Sequence, residues 1–353
     1  MADEHTLSTG LGKVRLGHAG PMVSKLALGA MTFGAETSEQ EAFNQLDLFV
    51  ESGGNFIDTA DNYSAGLSEA IIGKWGKSRG GLDNVLVATK GRFSPPSGSF
   101  GASRRSLIRS VDASLRRLQL DVIDVYYIHG WDKDTDVMET LVALGDLVTA
   151  GKIHYTAWSN LTGWQLQRVI TTAKENGLPV PVAMQSQYSL LERDIELELL
   201  PCCLEEGIGM TPWSPLGGGW LTGKYQKDLL PIGETRLGEN PNRGVEAYHL
   251  RNRERTYRVL EALNEIAIQH QRSVADIALA WLAQRPGVCS ILLGARTAEQ
   301  LKANLAAAQI QLPDKHIQAL SEASDPGLPA YPYGFQESWS EMDVWRRLAM
   351  KVK

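Results

Sequence analysis

The sequence predicts an α/β protein built as a (β/α)8 TIM barrel, with an N-terminal hairpin, a long loop after strand seven and a C-terminal helix and tail. Three observations lead there. Short β-branched or apolar runs recur eight times along the 353 residues. Between most of them lies one segment with apolar residues at i, i+3, i+4 and i+7, the spacing of a helix that buries one face. The landmarks that end the first seven runs, Gly29, Asp58, Lys90, His129, Ser159, Gln185 and Trp213, fall between 26 residues apart (Ser159 to Gln185) and 39 apart (Lys90 to His129), one strand-helix period repeated. A doubly wound sheet usually stops at about five or six strands, whereas eight units in about 250 residues plus insertions is the count for a barrel.

Taken in order, KVRLGHAGPMVSKL reads as a hairpin ahead of the barrel. The strands follow at 24–29 (SKLALG), 55–58 (NFID), 85–90 (VLVATK), 121–129 (DVIDVYYIH), 153–159 (IHYTAWS), 182–185 (VAMQ), 208–213 (IGMTPW) and 289–294 (CSILLG). Helices are expected at EQEAFNQLDLFVESG, SRRSLIRSVDASLRRLQ, VMETLVALGDLVTAG and GWQLQRVITTAKENG. Each ends near a Gly, or on a Leu before an Asp. The step from Trp213 to Gly294 is 81 residues, so the seventh unit carries an insertion, a loop from 217 to about 253 rich in Gly, Pro, Asn and Arg. Loops of that length are often lids. No Pro/Ser linker divides the chain, so residues 1–353 are read as one domain with a core of about 14–320 and a tail of 321–353.

A chain that is 43% apolar and 22% charged, with a net charge of −6, has the balance of a globular protein. The charge disfavours nucleic acid and anionic lipid as partners, though it allows a local cationic pocket, and points to a small molecule. The opening MADEHTLSTG has no basic and no apolar export region, and no run of about 18 apolar residues occurs, so a cytoplasmic location is expected. The three cysteines, Cys202, Cys203 and Cys289, form no CxxC, and the seven histidines no HExxH, so neither a disulfide framework nor a metal is expected. Cys202 and Cys203 sit on an apolar helix pattern and read as core. The basic cluster Arg251, Arg253, Arg255 and Arg258 reads as a solvated helix face.

In a (β/α)8 barrel, chemistry sits at the C-terminal ends of the strands. Here those ends carry Asp58, with Tyr63 just after it, then Lys90, His129, Ser159-Asn160, Gln185 and Trp213-Ser214. Singly, each has a plain structural reading: an Asp as a helix cap, a Tyr as a wall, a Lys as a solvated charge, a His held by a backbone carbonyl. Together, four unrelated polar types at successive strand ends, two of them closing otherwise apolar strands, point to a reactive site.

The run NFIDTADNYSAGLSEAIIGKW, followed by VLVATK, DVIDVYYIHGWD, AGKIHYTAWSNLT, MQSQYSLLER, TPWSPLGGGWLTGKY and LLGARTAEQLKANL, resembles the aldo-keto reductase superfamily, in the family's order from about Val14 to Asn304. Its flavour is that of a bacterial branch similar to the potassium-channel β-subunits. The resemblance implies NADPH-dependent reduction of a ketone or aldehyde to an alcohol, with keto-sugars, quinones and polycyclic or xenobiotic ketones all open as substrates. It assigns Tyr63 as the acid, Lys90 as the charge that lowers its pKa, Asp58 as the partner of Lys90 and His129 as the group that orients the substrate oxygen. It implies a cofactor site in which Ser159, Asn160 and Gln185 grip the carboxamide and Trp213 faces the nicotinamide. Ser214, Leu216, Gly218 and Lys224 would surround the pyrophosphate, and Gly294, Arg296, Gln300 and Asn304 the adenosine phosphate. Gly294 and Gln300 stand where many members carry lysine and arginine, which leaves the 2'-phosphate largely to Arg296.

Phe33, Trp131, Trp220 and the tail LPAYPYGFQESWSEMDVW are candidate substrate walls, with loop packing the other reading. A different class of function, an NADPH-binding regulatory β-subunit or redox sensor with little turnover, would lack the need for all four reactive residues.

Overall fold

The computed structural model describes residues 10–94, 99–335 and 338. Eight strands alternate with helices: β1 (Leu26–Gly29), β2 (Phe56–Asp58), β3 (Leu86–Gly91), β4 (Ile123–Ile128), β5 (Ile153–Ser159), β6 (Ala183–Gln185), β7 (Gly209–Met210) and β8 (Ile291–Leu293). All neighbours pair in parallel, in the order β7-β6-β5-β4-β3-β2-β1-β8. The end strands also meet. Met210 N–H donates to the Gly287 carbonyl (2.8 Å), Cys289 N–H to that of Met210 (2.9 Å) and Leu292 N–H to that of Pro212 (3.0 Å), which closes the sheet on itself. The seventh strand is shorter than its apolar run because Pro212 has no N–H to donate to a ladder.

The first six helices are α1 (Glu39–Glu51), α2 (Leu67–Ser78), α3 (Arg104–Leu118), α4 (Val137–Thr149), α5 (Gly163–Glu175) and α6 (Leu199–Glu206). Their starts are set by side chains: Ser38, Ser103 and Asp136 each accept an N–H of the first turn, and Thr162 with Gln165 forms a capping box on α5. In α3, Leu107, Ser110, Val111, Ser114 and Leu118 face inward while Arg116 and Arg117 sit by the negative helix end.

Burial divides along the strands with a period of two. Leu26, Leu28, Ile57, Val87, Tyr126, Ile128, Trp158 and Met184 pack outward against the helices. Ala27, Phe56, Ala88, Val125, Tyr127, Ala157, Ala183 and Leu292 fill the barrel interior. The hairpin that pairs Lys13–Arg15 with Met22–Ser24 closes the bottom: its Leu16 and Val23 join that inner cluster, and His18 N–H donates to the Gly207 carbonyl (2.8 Å) ahead of β7.

The insertion after β7 is not idle chain. It holds a tight turn at Gly217–Thr222 and two short helices, α7 (Arg236–Glu239) and α8 (Tyr248–Arg251), before α9 (Glu254–His270) and α10 (Val274–Ala283). After β8 come α11 (Ala298–Leu305) and α12 (Asp314–Ala323). A small hairpin, Phe93–Ser94 with Phe100 and Ser99, follows β3 and has no counterpart in the sequence reading. Arg251 does not lie on a solvated face: it is buried, and its guanidinium binds Glu246, Glu192 and the Leu191 carbonyl. Cys203 is core, while Cys202 is half-buried. Among the described residues no helix is long and apolar enough to cross a membrane.

Helices α2 and α3 touch through Gly73. A Cβ there would stand 2.4 Å from the Arg117 carbonyl oxygen and 2.7 Å from that of Leu118. Helix propensity alone favours alanine over glycine by about 1 kcal/mol. Backbone carbonyls cannot swing aside as a side chain does, so Gly73→Ala should instead destabilise by about 1–3 kcal/mol, measured by urea unfolding. A variant at least as stable as wild type would show that the helices part freely.

Candidate active site

The inward parity of each strand carries through to its end. Asp58 follows Phe56, Lys90 follows Ala88, His129 follows Tyr127, Ser159 follows Ala157 and Gln185 follows Ala183, so all five point over the filled interior at the upper rim. Lys90 and Asp58 are almost wholly buried. The ammonium donates to Asp58 Oδ1 (2.5 Å), the Thr59 carbonyl (2.7 Å) and Tyr63 Oη (3.4 Å), one acceptor for each of its three protons. Gln185 Nε2 donates to the other carboxylate oxygen, Asp58 Oδ2, at 2.8 Å.

Burial alone would drive Lys90 toward its neutral form, but Asp58 and Tyr63 outweigh it and hold the ammonium above its ordinary pKa. Burial raises Asp58, with Lys90 and Gln185 opposing. Tyr63 departs from the expectation. Burial pushes its phenol above the ordinary value; Lys90 pulls down against that, and the Asp58 carboxylate pushes up. The phenol is therefore fully protonated at neutral pH, and because its oxygen accepts from Lys90, its proton remains to be donated. An ammonium in that place would stabilise a phenolate, which is what a proton donor needs.

His129 stands beside this group, its ring centroid 5.9 Å from that of Tyr63 and edge-on to it. Burial, then Lys90 and Arg92, lower its pKa to about 3. The imidazole is neutral at working pH, and its Nδ1 is buried without a hydrogen-bond partner. It can orient an oxygen, but it has no second proton to give.

Ser159 donates to the Gln185 carbonyl (2.9 Å), Asn160 Nδ2 to the His129 carbonyl (3.1 Å), and Trp213 Nε1 to Asn160 Oδ1 (3.0 Å), so these rim residues brace one another. Asn160 (φ 56°), Ser214 (φ 54°) and Arg92 (φ 120°) adopt left-handed backbone without being glycine. Such conformations cost about 1–3 kcal/mol each and gather at functional sites. Ser214 Oγ accepts the Gly218 N–H (3.1 Å) and donates to Glu246 (3.0 Å), and the Leu216 carbonyl accepts the N–H groups of Gly219 and Leu221. Gly218 itself has φ 63°, with Glu246 Cβ 2.8 Å from where a Cβ would be.

Farther along the rim, Lys224 and Arg296 meet two cations absent from the sequence reading, Arg236 and Arg243. Burial, then Arg296 and Arg236, lower the Lys224 pKa; burial and Arg243 lower that of Arg236. Arg236 Nε is buried without a hydrogen-bond partner. Arg296 is held by Glu239 through both terminal nitrogens (2.7 Å each), with Glu36 at 3.8 Å, while Arg243 pairs with Glu36. Gln300 Oε1 accepts the Arg296 N–H (2.9 Å), Gly294 faces open space, and Asn304 lies half-buried on α11. Four cations, one carrying an orphaned donor, fit a phosphorylated nucleotide. Arg296 is therefore not the lone cation the sequence suggested, nor is it unoccupied. Arg236, Arg243 and the buried Glu246 lay in a loop without periodicity, where only long-range contacts mark them.

Phe33 and Trp220 are fully buried and take part in packing, not in a pocket wall; Trp220 donates to the Glu246 carbonyl (3.1 Å) and stacks on Tyr248. Trp131 does line a cavity of about 470 Å³. In the tail, Tyr333 donates to Glu198 (2.6 Å) just ahead of α6; the stretch from 339 onward lies outside the described residues.

The His129 imidazole has a pH signature. Its unfolded form takes up a proton near the ordinary 6.5, the folded form only near 3. Folding is thus unpenalised above pH 6.5 and increasingly penalised as pH falls below it. Urea unfolding at pH 7 and pH 5 should show a smaller acid loss of stability in His129→Gln than in wild type. Equal losses would mean that the imidazole titrates normally.

A model of the aldo/keto reductase family matches residues 25–325. Norsolorinic acid reductase B of Dothistroma septosporum is 34% identical over 329 residues, 89% of this chain and 81% of that protein. YrpG, an uncharacterized oxidoreductase of Bacillus subtilis, is 35% identical over 88% of this chain and 95% of its own length. An aryl-alcohol dehydrogenase of Pestalotiopsis microspora is 33% identical over 89% and 82%. With a closed eight-stranded barrel beneath a match of this extent, the chain belongs to the aldo/keto reductase family, a family of oxidoreductases.

Proposed function

We propose that the protein reduces a ketone or aldehyde to an alcohol with NADPH. The observation that carries this reading is the buried Asp58–Lys90 pair reaching a single phenol, Tyr63, beside a neutral His129. A bound nicotinamide nucleotide supplies the hydride to the carbonyl carbon. Tyr63 gives its proton to the carbonyl oxygen as negative charge develops there. Lys90 holds the resulting phenolate, and Asp58, tied by Gln185, keeps the ammonium charged and aimed. His129 donates a hydrogen bond to the substrate oxygen and fixes its approach, since a small misplacement costs orders of magnitude in rate.

Ser159, Asn160, Gln185 and Trp213 would hold the nicotinamide end. Ser214, Leu216, Gly218, Lys224 and Arg236 would hold the pyrophosphate, and Gly294, Arg296, Gln300 and Asn304 the adenosine phosphate. The name of the aryl-alcohol dehydrogenase relative favours an aromatic carbonyl substrate.

Tyr63→Phe should abolish reduction, assayed as NADPH absorbance loss, with the NADPH dissociation constant near wild type. Lys90→Met should lose comparably, and the double variant should be little worse than either, because the two act as one unit. More than a few per cent of wild-type kcat in Tyr63→Phe, by the standard of a proton donor, would overturn the assignment.

The second test concerns the nucleotide. A 2'-phosphate has to displace Glu239 from Arg296. Losing charge-assisted bonds should weaken NADPH about ten- to a hundredfold in Arg296→Ala while NADH changes little. Glu239→Gln should act oppositely and tighten NADPH. Dissociation constants from fluorescence quenching decide it: equal wild-type affinity for both nucleotides, or equal losses on mutation, would refute the 2'-phosphate role.

A further inference from the structure

Directly past Lys90, at the end of β3, stands a residue with no room for a side chain. A Cβ on Gly91 would stand 1.9 Å from Tyr126 Oη and 2.5 Å from Ser110 Oγ. The next residue, Arg92, is swung to φ 120°. A glycine would satisfy that backbone without strain, so the position is better explained by what the end of the side chain does. The guanidinium lies over the Phe93 ring, 4.3 Å from its centroid, and 5.8 Å from that of Phe100. Its Nε is buried with no hydrogen-bond partner, and among the described residues Arg92 has no carboxylate within ion-pair distance. A guanidinium stays charged at any working pH.

Arg92 forms one wall of the cavity of about 470 Å³, with Phe100, Gly101 and Trp131 in the same lining. That volume suits a molecule of one to three rings. The acids of the lining have hydrogen-bond or ion-pair partners of their own, although the Asp132 carboxylate also feels the Arg92 charge from beyond ion-pair distance. Asp132 accepts from the Ala102 N–H, the Thr135 hydroxyl and the Asp134 N–H, and Asp134 pairs with Lys133. The Arg92 wall of the cavity stands next to the candidate active site through Phe93, on whose ring the guanidinium lies. The Phe93 ring lies 5.4 Å from the His129 ring, which lies 5.9 Å from that of Tyr63.

We propose that Arg92 determines substrate specificity, and that the preferred substrate is an aromatic carbonyl compound bearing a carboxylate on the part of the ring away from the carbonyl. This rests on Tyr63 acting as the proton donor. The carbonyl sits between Tyr63 and His129, the ring packs along Phe93 and Trp131, and the carboxylate meets the fork of Arg92, whose two parallel N–H groups match its two oxygens. A neutral aromatic carbonyl fits the same rings but brings no carboxylate within ion-pair distance of the guanidinium.

The test compares 4-carboxybenzaldehyde with its methyl ester, using NADPH and the full chain, in wild type, Arg92→Met, Arg92→Gly and Arg92→Lys. Wild type should favour the carboxylate in kcat/KM by at least about tenfold, and Met or Gly should raise its KM by about ten- to a hundredfold with the ester little changed. Lys, which keeps the charge but not the fork, should recover part of the difference. Arg92→Gly keeps the test valid should the longer replacements fold poorly, since it relieves the backbone. No preference in wild type, or equal losses on both aldehydes, would overturn the proposal. If wild type reduces neither, the proton-donor reading fails, and binding decides the Arg92 assignment: quenching of tryptophan fluorescence by 2-naphthoate, present in wild type and lost in Arg92→Gly, sustains it, and quenching indifferent to Arg92, or absent, removes it.

Discussion

Lys90 carries a full positive charge to a place that water does not reach, and much of the rim is arranged around that fact. An isolated ammonium in such a site would lose its proton. It keeps it because Asp58 lies against it and because each of its three N–H groups has an acceptor. The arrangement is interlocked: Gln185 fixes Asp58, the Gln185 carbonyl takes the Ser159 hydroxyl, and the Asn160 N–H reaches that same carbonyl. Four strands are thereby tied at their upper ends through polar groups and not through apolar packing alone. Removing one partner would leave a bare charge, so these residues are coupled in stability.

Why these residues were legible in the sequence follows from the parity of the strands. A polar residue two places beyond an inward-facing apolar one, at the end of a short apolar run, has to emerge over the barrel mouth. Asp58, Lys90, His129, Ser159 and Gln185 all meet that description, and the eight strands could be counted because their period is local. The hairpin and the closing strand were visible for the same reason. Pro212 shortened the seventh strand without hiding it.

What the sequence did not disclose depends on contacts between distant loops. Glu36 follows β1, Arg236, Glu239 and Arg243 belong to the long insertion, and Arg296 follows β8; they meet only because the barrel brings its loops together. No spacing rule reaches across such separations. Burial misled in the other direction: Phe33 and Trp220 looked like walls because they are aromatic and lie in loops, but loops that fold back on a barrel have cores of their own. The phenol of Tyr63 is a subtler case. Proximity to an ammonium suggested a lowered pKa, and the depth of the site reverses the balance.

The hairpin beneath the barrel has a consequence for traffic. With Leu16 and Val23 seated among the inner side chains, the described residues stopper the base, and Lys90 lies toward the mouth. Whatever reaches the lysine by the mouth descends from above, and whatever settles over it blocks the exit of what lies beneath. Two visitors would have to queue, the first to arrive being the last to go, and a sequence of events in time would be written into the shape of a closed-bottomed vessel.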